Sequence, residues 1–411
     1  STSLAPPTHP PPFPTHPAPT VLSSSSFFND TATTEIYTLS LHDALPIYDE
    51  PNYTYMKDGK KLLTELSEMS YTPVNVRVHN LLTTGDGTPA LKWGSTNAYT
   101  EDKKGRPIYD WTIVDSIFDT FIVRGMKPLV EIGFMPKALS VKPDPYQHNW
   151  SPANAYNDIY TGWAYPPKDY NKWRELVCQW VKHCVERYGE NEVASWYWEV
   201  WNEPNIGYWK GTFEEYCKLY DYAADGLKKA FPRARIGGPH STDPSNEGAN
   251  AFLRRFLEHC VRGKNYATGK IGSPLDYVGF HAKGGPRVID NRVQMNIGRQ
   301  LLNISKGFEA VASFPELKHL PIIIGESDPE GCAACSIEHH PQNAYRNGTM
   351  YSSYTAASFA RKYAESDRLS YSDKSFASRM PRKISSSVWE SIHTRSFFLL
   401  AETCAIWSTR R

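Results

Sequence analysis

The sequence predicts an α/β fold of the (β/α)8 barrel type, on three observations. Six short β-like runs alternate with helical stretches between residues 48 and 366, the pattern of a parallel sheet with crossover helices. No glycine-rich phosphate loop follows the first run, which argues against a doubly wound dinucleotide fold. Arg77, His79, Asn202, Glu203, His281 and Glu326 all fall at C-terminal ends of the runs, where a barrel gathers its active site.

The runs, in order, are "VNVRVH" (74–79), "KPLVEIGF" (127–134), "SWYWEVW" (195–201), "ARIGG" (234–238), "DYVGFH" (276–281) and "PIIIGE" (321–326). Each is apolar, β-branched or aromatic, as a buried strand requires. Amphipathic stretches separate them at 111–125, 169–188, 212–230, 249–262 and 296–313. Thr212 and Glu215 form a capping box at the start of one, and Pro232 with Gly237 and Gly238 punctuates its end.

Two strands of the eight are not legible. The first should precede the helix-like 55–69, and the eighth should follow a helix ending near Ser366. Residues 1–28 are rich in Pro, Ser, Thr and His and read as disordered. Residues 29–47, "NDTATTEIYTLSLHDALPI", resemble the conceptual translation of a flow-cell adapter used in short-read DNA sequencing, and are set aside from fold reasoning. Residues 367–411 are rich in Ser and Arg without a period and read as misjoined sequence. The expectation is therefore a non-native or disordered segment 1–47, a truncated barrel domain 48–366 with strands 1 and 8 missing or replaced, and an aberrant tail 367–411. The chain begins with Ser, so localisation is open to either cytoplasmic or secreted readings.

Composition narrows the function. A formal net charge of +1 leaves no electrostatic footprint for nucleic acid. No apolar run approaches the roughly 20 residues of a membrane span. Twelve Trp and 25 Tyr suit a carbohydrate-handling protein. Seven Cys show no disulfide framework. Cys332 and Cys335 form one CxxC near His339 and His340, but zinc wants a second pair or histidines at ligand spacing, so partly buried thiols fit better. Neither metal nor cofactor is expected. Asn52, Asn149, Asn303 and Asn347 lie in N-x-S/T sequons that matter only in a secreted eukaryotic chain. Oligomeric state is not legible.

The stretch "WYWEVWNEPNIGYW" (196–209) starts as a strand and stops at Pro204, which cannot extend a central strand. Strand alternation places Tyr197, Glu199, Trp201 and Glu203 on one face. Carboxylates between aromatic rings make a poor core and a good sugar site. A surface loop with a solvated Glu is the plain alternative. The second carboxylate, Glu326, ends an apolar parallel-type strand, where burial without a purpose would be costly. Two strand-end carboxylates facing across a pocket are what glycoside hydrolysis needs.

Residues 48 to about 366 resemble family 39 of the glycoside hydrolases, within the large clan of retaining (β/α)8 enzymes. The resemblance rests on "VRVHN", "VEIGFMP", "WEVWNEPN", "GGPHS", "FHAKG" and "IIIGESDPEGC". It implies an exo-acting β-xylosidase or, in a second branch, an α-L-iduronidase, working by double displacement on an oligosaccharide or glycoside. It implies Glu203 as acid/base, Glu326 as nucleophile, Asn202 on the sugar 2-hydroxyl, Arg77 beside the nucleophile, and His281 and His79 as sugar contacts. One position departs from the clan: Lys283 stands where many members carry a tyrosine that donates to the nucleophile. Lys283 and Arg287 would suit a uronic-acid carboxylate. Xylosidase, iduronidase and arabinosidase specificities, and a catalytically impaired sugar-binding barrel, all stay open.

Overall fold

The computed structural model describes residues 47–48, 51–68, 72–87, 94–147, 160–331, 337 and 340–371. One sheet holds strands β1 (Ile47–Tyr48), β2 (Asn75–Val78), β3 (Lys127–Ile132), β4 (Tyr197–Val200), β5 (Arg235–Ser241), β6 (Tyr277–Phe280) and β7 (Ile322–Ile324), bonded in that order and parallel throughout. A doubly wound sheet would reverse its strand order at a switch point, and none does here. The crossover helices are α1 (Lys57–Glu68), α2 (Thr112–Ile122), α3 (Tyr170–Tyr188), α4 (Phe213–Ala230), α5 (Glu247–Arg262) and α6 (Ile297–Ala312), and α7 (Thr349–Tyr371) follows β7.

The sheet must curl. From β2 to β7 are five strand spacings, about 24 Å along a flat sheet at roughly 4.8 Å each. Yet Arg77 Nη1 of β2 lies 2.7 Å from Oε1 of Glu326, just beyond β7. Only an incomplete (β/α)8 barrel brings those two ends together.

Alternation along the strands separates two environments. In β2, Val76 and Val78 are buried in the apolar core and Arg77 points into the barrel. The layer between sheet and helices is dense in tryptophan. Trp180 of α3 stacks on Phe118 of α2 at 6.2 Å and meets Trp198 of β4 edge-on at 5.6 Å. Each such ring, fully excluded from water, stabilises the fold by roughly 1.5–3 kcal/mol through burial.

Local signals set the helix starts. Asp169 accepts from the N–H groups of Asn171 and Lys172, and Asn246 from that of Ala249. Thr212 and Glu215 form the reciprocal capping box that the sequence predicts.

The structure adds to the sequence-based outline at one edge. β1 has two residues and pairs Ile47 with Arg77 and Tyr48 with Val78. Ile47 belongs to the stretch set aside on sequence grounds, so the β2 edge is partly covered. Among the described residues no strand pairs with the outer edge of β7. The position expected for an eighth strand, Cys332, Cys335, His339 and Asn149 lie outside the described residues. Asn52 and Asn303 are buried and hydrogen-bonded, so those two sequons present no glycan acceptor on the folded surface. No described helix is long and apolar enough to cross a membrane.

Candidate active site

Arg77 is the hub. Its guanidinium is fully buried. Nε donates to Glu199 Oε1 at 2.8 Å, Nη1 to Glu326 Oε1 at 2.7 Å and Nη2 to Asn202 Oδ1 at 2.9 Å. One side chain from β2 thus ties together β4, the loop after β4 and the loop after β7. Glu199 is held on its other side by His240 Nε2 at 2.8 Å. That ring is packed so closely that a Cβ at Gly279 or Gly325 would collide with it, which explains the glycines in "YVGFH" and "IIIGE".

The two strand-end glutamates face one another. His281 Nδ1 lies 2.9 Å from Glu203 Oε1 and 3.7 Å from Glu326 Oε1. Ligand atoms of Glu203, His281 and Glu326 all fall within 4.8 Å of one another. Lys283, its side chain 18% exposed, pairs with Glu326 Oε2 and stands 3.7 Å from Asp328. His79 Nε2 is 3.4 Å from Glu326 Oε1. The sequence-predicted residues Arg77, His79, Asn202, Glu203, His281, Lys283 and Glu326 therefore form one cluster. The carboxylates and His281 are grouped closely enough to ligate a cation, but Arg77 and Lys283 already supply positive charge there, which opposes a metal ion.

The charges are unequal in effect. Burial raises the Glu326 carboxyl, but Lys283, His281, His79 and Arg77 outweigh it and hold the group well below the usual carboxylate range. Glu326 is thus held as an anion in a buried position. Burial also raises Glu203, while Lys283 and the hydrogen bond from His281 bring it below its ordinary value and the nearby charge of Glu326 works the other way. Lys283 itself resists desolvation because Glu326 and Glu203 keep it charged.

The profile of glycosyl hydrolases family 39 matches residues 76–394, more than three quarters of the chain. The chain belongs to glycosyl hydrolase family 39. Among curated relatives, a β-xylosidase of Geobacillus stearothermophilus is 38% identical over 183 residues, covering 44% of this chain and 32% of that protein. A human α-L-iduronidase is 31% identical over 164 residues, covering 38% of this chain and 23% of that protein. The chain thus aligns with about a third or less of these relatives' length. A solved monomeric β-xylosidase from Caulobacter crescentus superposes with a TM-score of 0.58 at 23% identity, covering 80% of this chain and 57% of that one. That likeness carries the fold alone.

Within this family 39 barrel, two readings from the sequence need correction. Alternation holds only through Val200. Trp201 and Glu203 adopt φ of 74° and 44°, so the backbone turns out of the strand at the motif. Trp201 is fully buried, donates to Tyr208 O and packs edge-on against Phe134 and Trp209. Tyr197 lies at the opposite end of β4, beneath Arg235. Neither ring is a sugar platform. Arg287 is exposed on the hairpin Arg287–Gln294, outside this cluster. Sequence reasoning also passed over Glu131, Glu199 as the partner of Arg77, and His240. The signal available was a carboxylate in mid-strand on the same phase as the strand-end residues.

Proposed function

We propose that this family 39 chain is a retaining glycoside hydrolase, exo-acting and β-xylosidase-like, with an oligosaccharide or glycoside as substrate. The observation that carries the reading is the approach of the two buried carboxylates. Oxygens within 4.8 Å suit direct attack on the sugar. An inverting enzyme needs about 6.5–9.5 Å to seat a water between its carboxyls.

In this mechanism Glu326 attacks the anomeric carbon while Glu203 protonates the departing oxygen. A glycosyl ester on Glu326 forms and the aglycone leaves. Glu203, now ionised, takes a proton from water, and that water displaces Glu326 with a second inversion. Esterification removes the Glu326 charge that raises Glu203, so the pKa of Glu203 falls and it stays ionised when a base is needed. Asn202 Oδ1 is committed to Arg77, which leaves its amide N–H groups to donate to the sugar 2-hydroxyl.

The test is the dependence on leaving group. Glu203→Ala should retain most of its kcat/KM on glycosides of strongly acidic phenols, where the first step needs no acid, and lose about 10²–10⁴-fold in kcat/KM on poor leaving groups. Equal loss on both would remove Glu203 from the acid role.

A second reading, hydrolysis of a uronic-acid glycoside, is favoured by Lys283, a cation in contact with the nucleophile where a sugar carboxylate could draw it away. Comparing turnover of an aryl xyloside with that of an aryl iduronide separates the two.

A further inference from the structure

Glu131 is a fully buried carboxyl that this mechanism leaves unused. The sheet register sets it directly beside Glu199, with both side chains inside the barrel. Arg77 and His240 hold Glu199. Neither oxygen of Glu131 has a hydrogen-bond partner among the described residues. Its Oε2 lies 3.6 Å from Arg77 Nη2 and 3.6 Å from His79 Nδ1. The far side of that imidazole faces the nucleophile, with Nε2 3.4 Å from Glu326 and against Arg77.

Charge balance points the same way. The carboxyls of Glu131, Glu199, Glu203 and Glu326 surround the cations Arg77 and Lys283. The carboxyls outnumber the cations, which favours a proton on one of them in a buried site. Glu131, beside a like charge and hydrogen-bonded to neither cation, is the place for it.

We propose that Glu131 is a positioning residue for the nucleophile, sharing a proton with His79 and so setting which ring nitrogen carries hydrogen toward Glu326. While Glu131 is protonated, its O–H closes the 3.6 Å gap to Nδ1 as the donor, and His79 carries its hydrogen on Nε2, 3.4 Å from Glu326. When Glu131 ionises, one proton leaves to solvent, the ring hydrogen sits on Nδ1 facing Glu131, and Nε2 offers its lone pair to Arg77. The groups that face Glu131 are Arg77 of β2, His79 just past its end, Glu199 from β4 and Glu326 beyond β7. Burial, with Glu199 and Glu326 adding to it, pushes the Glu131 carboxyl up to about 7 against the pull of His79 and Arg77. The switch therefore works near neutrality.

The proposal rests on the glycosidase reading for its catalytic consequence, so its test has one arm that needs no turnover. A carboxyl with a raised folded pKa stabilises below its unfolded value and loses that contribution as pH rises through about 7. The melting temperature of the native chain should fall between pH 5 and pH 8 relative to that of Glu131→Gln. In the second arm, kcat/KM is followed on a glycoside whose leaving group needs no proton, so that Glu203 does not contribute on the alkaline side. The native chain should decline by about fivefold from pH 6 to pH 8, and both Glu131→Gln and His79→Gln should flatten that decline to under about twofold. Parallel melting curves for native and variant chains overturn the titration of Glu131. A decline that survives in either variant, or a uniform loss at every pH, overturns the link to the nucleophile.

Discussion

Glu203 starts from an unfavourable position for an acid. It is buried, which favours its proton, but Lys283 and His281 hold it below its ordinary value. The same Lys283 is the foremost group lowering Glu326. One side chain thus depresses both carboxyls of the proposed catalytic pair. Removing a cation raises the pKa of every carboxyl that faced it. Lys283→Met should therefore move both limbs of the kcat/KM profile to higher pH, the acidic limb from Glu326 and the alkaline limb from Glu203. Limbs that stay where the native chain has them would show that Lys283 does not act on the pair. A substrate carboxylate that engages Lys283 would have the same effect as the substitution, and would return a proton to Glu203 at the moment of binding.

At the scale of elements, the loop carrying Glu326 is an extension of the sheet. Gly325 N donates to Phe280 O at 3.0 Å, Ala282 N to Glu326 O at 2.8 Å and Gly284 N to Asp328 O at 3.0 Å. The pairing of β6 with β7 continues past both strands and fixes Lys283 against Glu326. Two helices then clamp the loop. Buried Gln300 of α6 donates to Ser327 O at 2.7 Å and Asp328 O at 3.3 Å, and Ser358 of α7 donates to Gln300 Oε1 at 2.6 Å. Gln300→Leu should lower kcat by about 10–100-fold with KM little changed, because it displaces the nucleophile rather than the sugar subsite. Ser358→Ala should do the same more weakly. A rise in KM at constant kcat would assign the clamp to binding instead. None of this was legible in the sequence, where Gln300 reads as one polar residue on an amphipathic helix. The helices themselves were legible because Asp169, Thr212 and Asn246 cap them locally. The turn at Trp201 was not, because no glycine marks its positive φ.

At the scale of the molecule, the barrel was legible because the strand runs end in polar residues that only a curled parallel sheet brings together. Glu203, Glu326 and Arg77 each end or interrupt an apolar run, and that contrast exposes them. Glu131 and Glu199 sit inside runs, and their partners arise only when β2, β3 and β4 pair in register. A first strand was expected before α1, but β1 was not named because Ile47 lies in the stretch set aside on sequence grounds. Its place is set by pairing with β2. The account joins these levels in one claim: this chain folds a barrel in which Glu326 forms a bond to the sugar. The most direct test treats the full chain with the 2-deoxy-2-fluoro derivative of whichever activated glycoside it turns over, then weighs the intact protein and maps its peptides. The account predicts one fluorosugar per chain, carried on the peptide that contains Glu326. A label on another residue, an inverted product formed with no label, or a chain that neither labels nor turns over any activated glycoside would contradict it.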